Sequence, residues 1–538
     1  MARLCLEASV KYKNRPALAM LNDEGIHGHT TYKLMGIRSR QIAFLLRQLG
    51  VKNGGRVLVL SENCPEWAFA YFGIALAGAV SVPLLTGFST EQIQNIANHA
   101  EVSAVCLSRT MSEKIGRQEG LSIFSQTPLI YIDSITGNEK TAEVTVFVNG
   151  IEKQLPLHYD GGSCFPQHKP DDLATIIYTS GTQGNSKGVM LSGKNIISSA
   201  LSSLAFKRIV PRDRFLSVLP LAHSYECSIG LLAPIISGAS ITYLEKPPSP
   251  SVLLPAVKLL RPTAMITVPL LIEKIYRNAI APKLRGSKLY KFSFTRPLAI
   301  RVAGRKLISA LGGCIRVFGI GGAPLSSEVE KFLRRARFPY NIGYGLTEAA
   351  PLVAGTSPHR FPIRSVGTAA RGVTIRIVRN DCSLDGEIQV RGPNVMLGYY
   401  NDKEKTAEAF TCDGWLRTGD LGRFDKKGRL QIKGRLKALI LGPSGENIYP
   451  EEIEGLLGSS RLVEDALVYT GERGELVALV SLSDAAKAAA GAIEHAIEEL
   501  RAWANKKLAD FSRLSRIEIR YEPFEKTPTM KIKRYLYV

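Results

Sequence analysis

The chain has 538 residues, with 69 Lys and Arg against 48 Asp and Glu, a net charge of +21. Hydrophobic residues make up 45% and charged residues 22%, a globular balance that excludes a disordered, collagenous or coiled-coil chain. Such a length calls for two or more domains with sizeable cores. The basic excess calls for an anionic partner without choosing between nucleic acid, membrane headgroups and phosphorylated small molecules.

Eight cysteines, at 5, 64, 106, 164, 227, 314, 382 and 412, form no CxxC pair. That spacing excludes a disulfide scaffold or a zinc ribbon and suits a reducing cytosol. Residues Met1 to Glu7 are followed by charges and carry no apolar signal core.

In chain order, helix is predicted over Lys33–Leu49, a strand over Arg56–Leu60, a helix over Thr90–His99 and a strand over Ala104–Leu107. Trp67–Leu85 is uncharged for 19 residues, about the length of a membrane span. Its Gly73, Gly78, Ser81 and Pro83 instead divide it into a helix, a Gly-Ala turn and a strand over Val80–Leu85. Ser228–Leu244 repeats the pattern around Gly238-Ala239. A helix leading through Gly into an apolar strand is the αβ unit of a parallel sheet, so both stretches are read as buried. Val144–Leu155 predicts a hairpin around Asn149-Gly150. A second αβ series runs from Asp172 to about Leu352, and Gly386–Arg391 and Gly428–Lys433 are strands of a small β-rich unit.

Beyond Gly434 the character changes. Pro450, followed by Glu451 and Glu452, opens a helix with acids at its positive end. Strands follow over Ala466–Thr470 and Leu476–Leu482, then a long helix near Asp484–Lys507 and a basic tail. The fold expected is α/β: a large N-terminal region of αβ-layered subdomains plus the β-rich unit, residues 1–435. A small α+β domain occupies 436–538.

The densest chemistry follows the strand Ala174–Tyr178. Thr179 to Gly188 hold four hydroxyls, three glycines and Lys187, a composition suited to cradling phosphate with backbone N–H groups, hydroxyls and a point charge. Ser186 precedes the lysine and Gly188 follows it, so the G-x4-G-K-[ST] pattern is absent and a P-loop kinase or ATPase is disfavoured. Further on, the short strand Val317–Ile320 runs into Gly319–Gly322, and Ser327 with Glu330 predicts a capping box starting a helix. A glycine-rich turn there lets a flat base pack on backbone at a strand's carboxyl end. Glu348 beside Thr347 offers oxygen ligands for Mg2+.

Residues Tyr178–Gly188 resemble the signature loop of the adenylate-forming superfamily. Leu219–Glu226 (Leu-Pro-Leu-Ala-His-Ser-Tyr-Glu) resembles its Pro/His motif, Gly321–Leu325 its adenine-side loop and Gly343–Glu348 its aromatic/Thr/Glu motif. Trp415–Asp420 resembles the ribose-binding motif, Gly434–Lys437 the hinge and Pro528–Arg534 the terminal lysine motif. The matches span the chain in the family's order, and within the superfamily the sequence is most similar to long-chain fatty acyl-CoA synthetases.

The resemblance implies ATP and Mg2+ as cofactors, CoA as co-substrate and a fatty acid as the acid partner. It implies nucleotide contacts from Thr179, Ser180, Gly181, Thr182, Gln183, Gly184 and Lys187 in the first loop. Gly322, Ala323 and Pro324, then Gly343, Tyr344, Gly345 and Thr347, and finally Asp420 and Arg435 complete that set. Tyr344 would stack on adenine and Asp420 would accept the ribose hydroxyls. Lys531, Glu348, Thr182 and His223 would serve catalysis, with Glu348 the metal ligand and Lys437 the hinge. His223 would line the carboxylate pocket without acting as a base, because the attacking carboxylate is already ionised at neutral pH. Lys531 is preferred over Lys526 and Lys533 because it holds the Pro-x-x-Lys-Ile position.

The departures from the family pattern are Gln183 for a common Thr, Ser186 for a common Pro and Ala438 for a common Asp. None removes a charge from the site.

The activity implied is an ATP-dependent acid–thiol ligase working through an acyl-adenylate in the cytoplasm. An acyl-acyl-carrier-protein synthetase, an aromatic-acid ligase and a silent nucleotide-binding scaffold remain alternatives. With no carrier-protein domain after the terminal motif, an integrated peptide-synthetase module is not expected, nor is an integral membrane span. No nucleic-acid module is recognisable. From Lys274 to Ser327 there are eleven basic residues and no acid, with Tyr290, Phe292 and Phe294 interleaved, so peripheral contact with an anionic membrane face is a further expectation.

Overall fold

A computed structural model of the chain describes residues 1–116, 127–139, 141–149, 151–158, 165–166, 168–179, 186–357, 361–379, 384–441, 447–471, 474–487, 493–527 and 532–537. Among them, two nine-stranded sheets form the body of the molecule, joined by sheets of four, two and three strands.

One large sheet is built on parallel strands Arg56–Leu60, Val80–Pro83, Val102–Leu107 and Leu129–Thr136. Leu173–Thr179 joins beside Val80–Pro83 and pairs antiparallel with Lys187–Ser192. The other centres on parallel strands Ser240–Leu244, Arg214–Ser217, Ala264–Thr267, Val317–Ile320 and Tyr340–Gly345. Helix Pro65–Leu76 is buried along nearly its whole length and packs against strands of both sheets. That position between two apolar layers explains why its sequence is hydrophobic all round. No helix among the described residues is long and apolar enough to cross a membrane.

The hairpin expected around Asn149 forms, with Val148 opposite Ile151 and Asn149 at φ 51°, the left-handed region such a turn requires. The second apolar stretch opens as a π-helix, Glu226–Leu232, before Ala233–Ser237 and the strand Ser240–Leu244. The β-rich unit is the four-stranded sheet containing Gly386–Arg391, Leu416–Phe424 and Leu430–Arg435. Its last strand begins two residues beyond the expected start, because the Gly428 N–H donates to the Asp425 carbonyl and closes a turn there.

One expectation needs correction. Ser327 and Glu330 do not form a capping box: the helix Ser327–Arg335 is preceded by Ser326, with no side-chain cap. Glu330 instead accepts from the Arg364 N–H at 2.8 Å and faces the Tyr340 hydroxyl at 3.4 Å. The long helix expected over Asp484–Lys507 is described in two pieces, Asp484–Lys487 and Ile493–Asn505; residues 488–492 lie outside the described set.

The C-terminal unit has its own core. Ile453 and Leu457 of helix Pro450–Leu457 pack with Val468, Val480, Leu500 and Leu514, over a sheet ordered Val463–Thr470, Leu476–Leu482, Arg516–Arg520.

Candidate active site

Residues 180–185, which include Ser180, Gly181, Thr182, Gln183 and Gly184, lie outside the described residues, as does Lys531. Their flanks are described. Thr179 and Lys187 are opposite partners at the end of an antiparallel ladder, so the two strands that flank the phosphate-type loop run antiparallel. Lys187 and Gly188 belong to the returning strand, and the next helix starts only at Gly193. In a P-loop the helix follows the cradle directly; this connection differs from that topology.

Three small clusters gather the other motif residues. In the first, the Lys187 ammonium stands 5.0 Å from the ring centre of Tyr399, a cation–π distance. The Tyr399 hydroxyl donates to Oε1 of Glu348 at 2.9 Å. Oε2 of Glu348 has no hydrogen-bond partner among the described residues, and Thr347 adjoins it with its hydroxyl 3.5 Å from that of Ser224. A carboxylate with one oxygen fixed and one open, next to a hydroxyl and near a lysine, fits Mg2+ bound through few protein oxygens plus substrate phosphates.

In the second, the Tyr344 hydroxyl donates to Oδ2 of Asp420 at 2.6 Å, and Nε of Arg435 lies 2.8 Å from Oδ1. Asp420 and Arg435 are also register partners across their strands. Asp420 is only 5% exposed; a carboxylate that deep must be paired, and here both oxygens are. Burial, then the Asp420 charge, pushes the Tyr344 phenol well above its usual range, so it remains a donor.

The third lies at the carboxyl ends of Val317–Ile320 and Tyr340–Gly345. Gly322 has φ +85° and Ala323 and Pro324 are exposed at the rim. A Cβ on Gly345 would stand 1.8 Å from the Pro351 carbonyl oxygen, which accepts from the Leu346 N–H, so only glycine fits. Gly343 lies beside Gly321, whose Cβ position would be 3.4 Å from the Gly343 oxygen. Tyr225 packs its ring on Gly321, and its N–H donates to Nδ1 of His223 at 3.2 Å. A neutral His223 therefore carries its proton on Nε2.

The sequence profile of the AMP-binding enzyme family matches residues 6–400, and that of the AMP-binding enzyme C-terminal domain matches 438–537. The chain belongs to the AMP-binding enzyme family. The long-chain-fatty-acid–CoA ligase heimdall of Drosophila melanogaster is 30% identical, over 92% of this chain and 78% of its own. The 4-coumarate–CoA ligase 1 of Solanum tuberosum is 29% identical, over 98% of this chain and 92% of its own. The O-succinylbenzoate coenzyme A synthetase from Bacillus subtilis, solved with ATP and a magnesium ion, superposes with a TM-score of 0.74 at 24% identity, over 99% and 98% of the two chains. This adenylate-forming fold, α/β with a separate C-terminal domain, is the one expected.

In this AMP-binding enzyme two contributors escaped the sequence reading. Tyr399, in a two-residue strand, reaches the site only because it pairs with Val189. Glu451 accepts from the Arg435 N–H at 3.0 Å and ties helix Pro450–Leu457 to the end of strand Leu430–Arg435. Lys437 stands next to this contact, exposed in the turn Leu436–Ala438. In the tail, Lys526 pairs with Asp465 at 2.7 Å and Lys533 with Glu525 at 3.2 Å.

Proposed function

We propose that the protein is an AMP-forming acid–thiol ligase that converts a long-chain fatty acid, ATP and CoA to acyl-CoA, AMP and pyrophosphate. A carboxylate oxygen attacks the α-phosphorus and the bond to the bridging oxygen breaks, releasing pyrophosphate. The CoA thiol, losing its proton, then attacks the acyl carbon and AMP departs. The observation that carries this reading is the Tyr344–Asp420–Arg435 contact, in which the aromatic, ribose and hinge motifs meet around one buried carboxylate.

Asp420 is the ribose acceptor in this scheme and Tyr344 the adenine neighbour, beside Gly321, Gly322, Ala323 and Pro324. Lys187, with Thr179 and residues 180–184, meets the phosphates. Glu348, with Thr347, would hold Mg2+, which supplies neutralisation of phosphate charge. His223 presents Nε2–H to the acid and orients it. Lys531 stabilises charge developing at the α-phosphate, an electrostatic task. The carboxylates already on Lys526 and Lys533 support choosing Lys531 among the tail lysines. The small unit is taken as 436–538, turning about Lys437 between the two half-reactions, a division supported by its separate core. A cytoplasmic location is part of the same reading, supported by the free, buried thiols of Cys5, Cys106 and Cys227.

The fatty acid is favoured by the 30% identical ligase. An aromatic acid is the second reading, favoured by the 4-coumarate ligase aligned over 98% of this chain. Pyrophosphate release measured from acetate to oleate and with 4-coumarate separates them, with CoA and with holo acyl carrier protein as acceptors. Maximal release with oleate and thioester formation on CoA are expected; a preference for 4-coumarate or for the carrier protein overturns the assignment.

A further inference from the structure

Phe294 is 82% exposed and Phe292 61%, and their rings sit 6.2 Å apart with no cover. They precede the helix Arg296–Ala310, which buries Ala299, Ile300, Gly304 and Leu307. Its outward stripe is Leu298, Arg301, Val302 and Arg305, spaced so that all four share one face. Leu289 on the short helix before it is also exposed. A lone exposed Leu needs no explanation, whereas five large apolar side chains within one short segment form a patch.

Apart from Arg296, which stands over the Tyr290 ring, the bases around this patch divide into two sets. Lys274 pairs with Glu464, Arg277 with Glu273, Arg285 with Glu328 and Arg316 with Asp213. Lys283, Lys288, Lys291, Arg301, Arg305 and Lys306 are exposed and make no ion pair among the described residues. All of the unpaired set except Lys283 lies on the segment that carries the aromatics, while the paired set is tied to the body.

We propose that the face formed by residues 288–306 docks on an anionic lipid bilayer. Phe292 and Phe294 enter the headgroup boundary, and Lys288, Lys291, Arg301 and Arg305 meet the lipid phosphates. Exposed Phe and Leu beside Lys and Arg are the composition of interfacial binding elements. Leu289, Leu298 and Val302 have no flat face on which a nucleobase stacks, but acyl chains accept them. The inference holds whichever acid the enzyme takes.

Co-sedimentation of the full chain with phosphatidylcholine vesicles, with and without phosphatidylglycerol, tests it. Binding is expected only with phosphatidylglycerol and is expected to weaken as salt rises. Each basic residue near the surface multiplies affinity about fivefold, so combined Lys288→Gln, Lys291→Gln, Arg301→Gln and Arg305→Gln should lower it at least about tenfold. Phe292→Ser with Phe294→Ser should do the same. These side chains are exposed, so an unchanged melting temperature verifies that both variants fold. Equal binding to both vesicles, no binding, full binding by either variant, or retention of single-stranded RNA in preference to vesicles overturns the proposal. A wild type that binds vesicles yet releases no pyrophosphate sinks the ligase reading and leaves this one standing.

Discussion

The Tyr344 hydroxyl donates to Oδ2 of Asp420 at 2.6 Å while Arg435 holds Oδ1 at 2.8 Å. The carboxylate is thus aimed by one residue at the end of a large-sheet strand and by another at the end of the β-rich sheet. Asp420→Ala should raise the ATP concentration needed for half-maximal rate by at least about tenfold, since hydrogen bonds to a charged group contribute about 1.5–3 kcal/mol each. Tyr344→Phe should raise it less, because Arg435 still fixes Oδ1. Unchanged ATP dependence in Asp420→Ala removes that residue from the ribose site.

Glu348→Gln keeps the shape of the side chain and an acceptor for Tyr399 but removes the negative charge facing a cation. Turnover should fall and added Mg2+ should restore only part of it, read from rate against Mg2+ concentration. Tyr399→Phe loses only the 2.9 Å hydrogen bond and should shift that curve severalfold without abolishing turnover. Indifference of the Mg2+ curve to Glu348→Gln excludes it as the metal ligand.

A pH effect follows from Glu226, which is 1% exposed and accepts from the Ser217 hydroxyl at 2.6 Å. Burial, opposed by that hydrogen bond, raises its carboxyl from 4.5 to about 8. The folded chain therefore keeps a proton that the unfolded chain loses above pH 4.5. Its contribution to stability is complete below that value and is lost progressively as pH rises to about 8, at no more than about 1.4 kcal/mol per pH unit. Glu226→Gln, which imitates the protonated carboxyl, should flatten that part of the melting-temperature profile and melt above wild type at its alkaline end. Parallel profiles contradict the burial argument.

Elements set by local rules were legible in the sequence. Thr90–His99 was bounded as observed because Ser89 and Gln92 form a capping box, and Arg56–Leu60 because an apolar run was closed by polar residues. The Ser327/Glu330 capping box failed because Glu330 serves Arg364 and Tyr340, contacts made across the fold. The π-helix Glu226–Leu232 leaves no mark in a 3.6-residue pattern, and the strand register that brings Tyr399 to Glu348 is non-local. Asp420, Glu348 and Arg435 stood out through their motifs; their hydrogen-bond partners became visible only with the fold.

In the proposed reaction Lys531 serves the phosphorus-centred step alone. Lys531→Ala should abolish adenylate formation while thioester formation from supplied acyl-adenylate and CoA stays largely intact, each followed as a separate half-reaction. Equal loss of both points to a defect in domain movement or folding.

In the proposed reaction a carboxylate oxygen attacks the α-phosphorus. Turnover of a fatty acid labelled with heavy oxygen in both carboxylate positions, with mass analysis of the nucleotide product, tests it most directly. AMP carrying one heavy oxygen, with pyrophosphate and acyl-CoA alongside, is the predicted result. Unlabelled AMP, or ADP with label in inorganic phosphate, would contradict it.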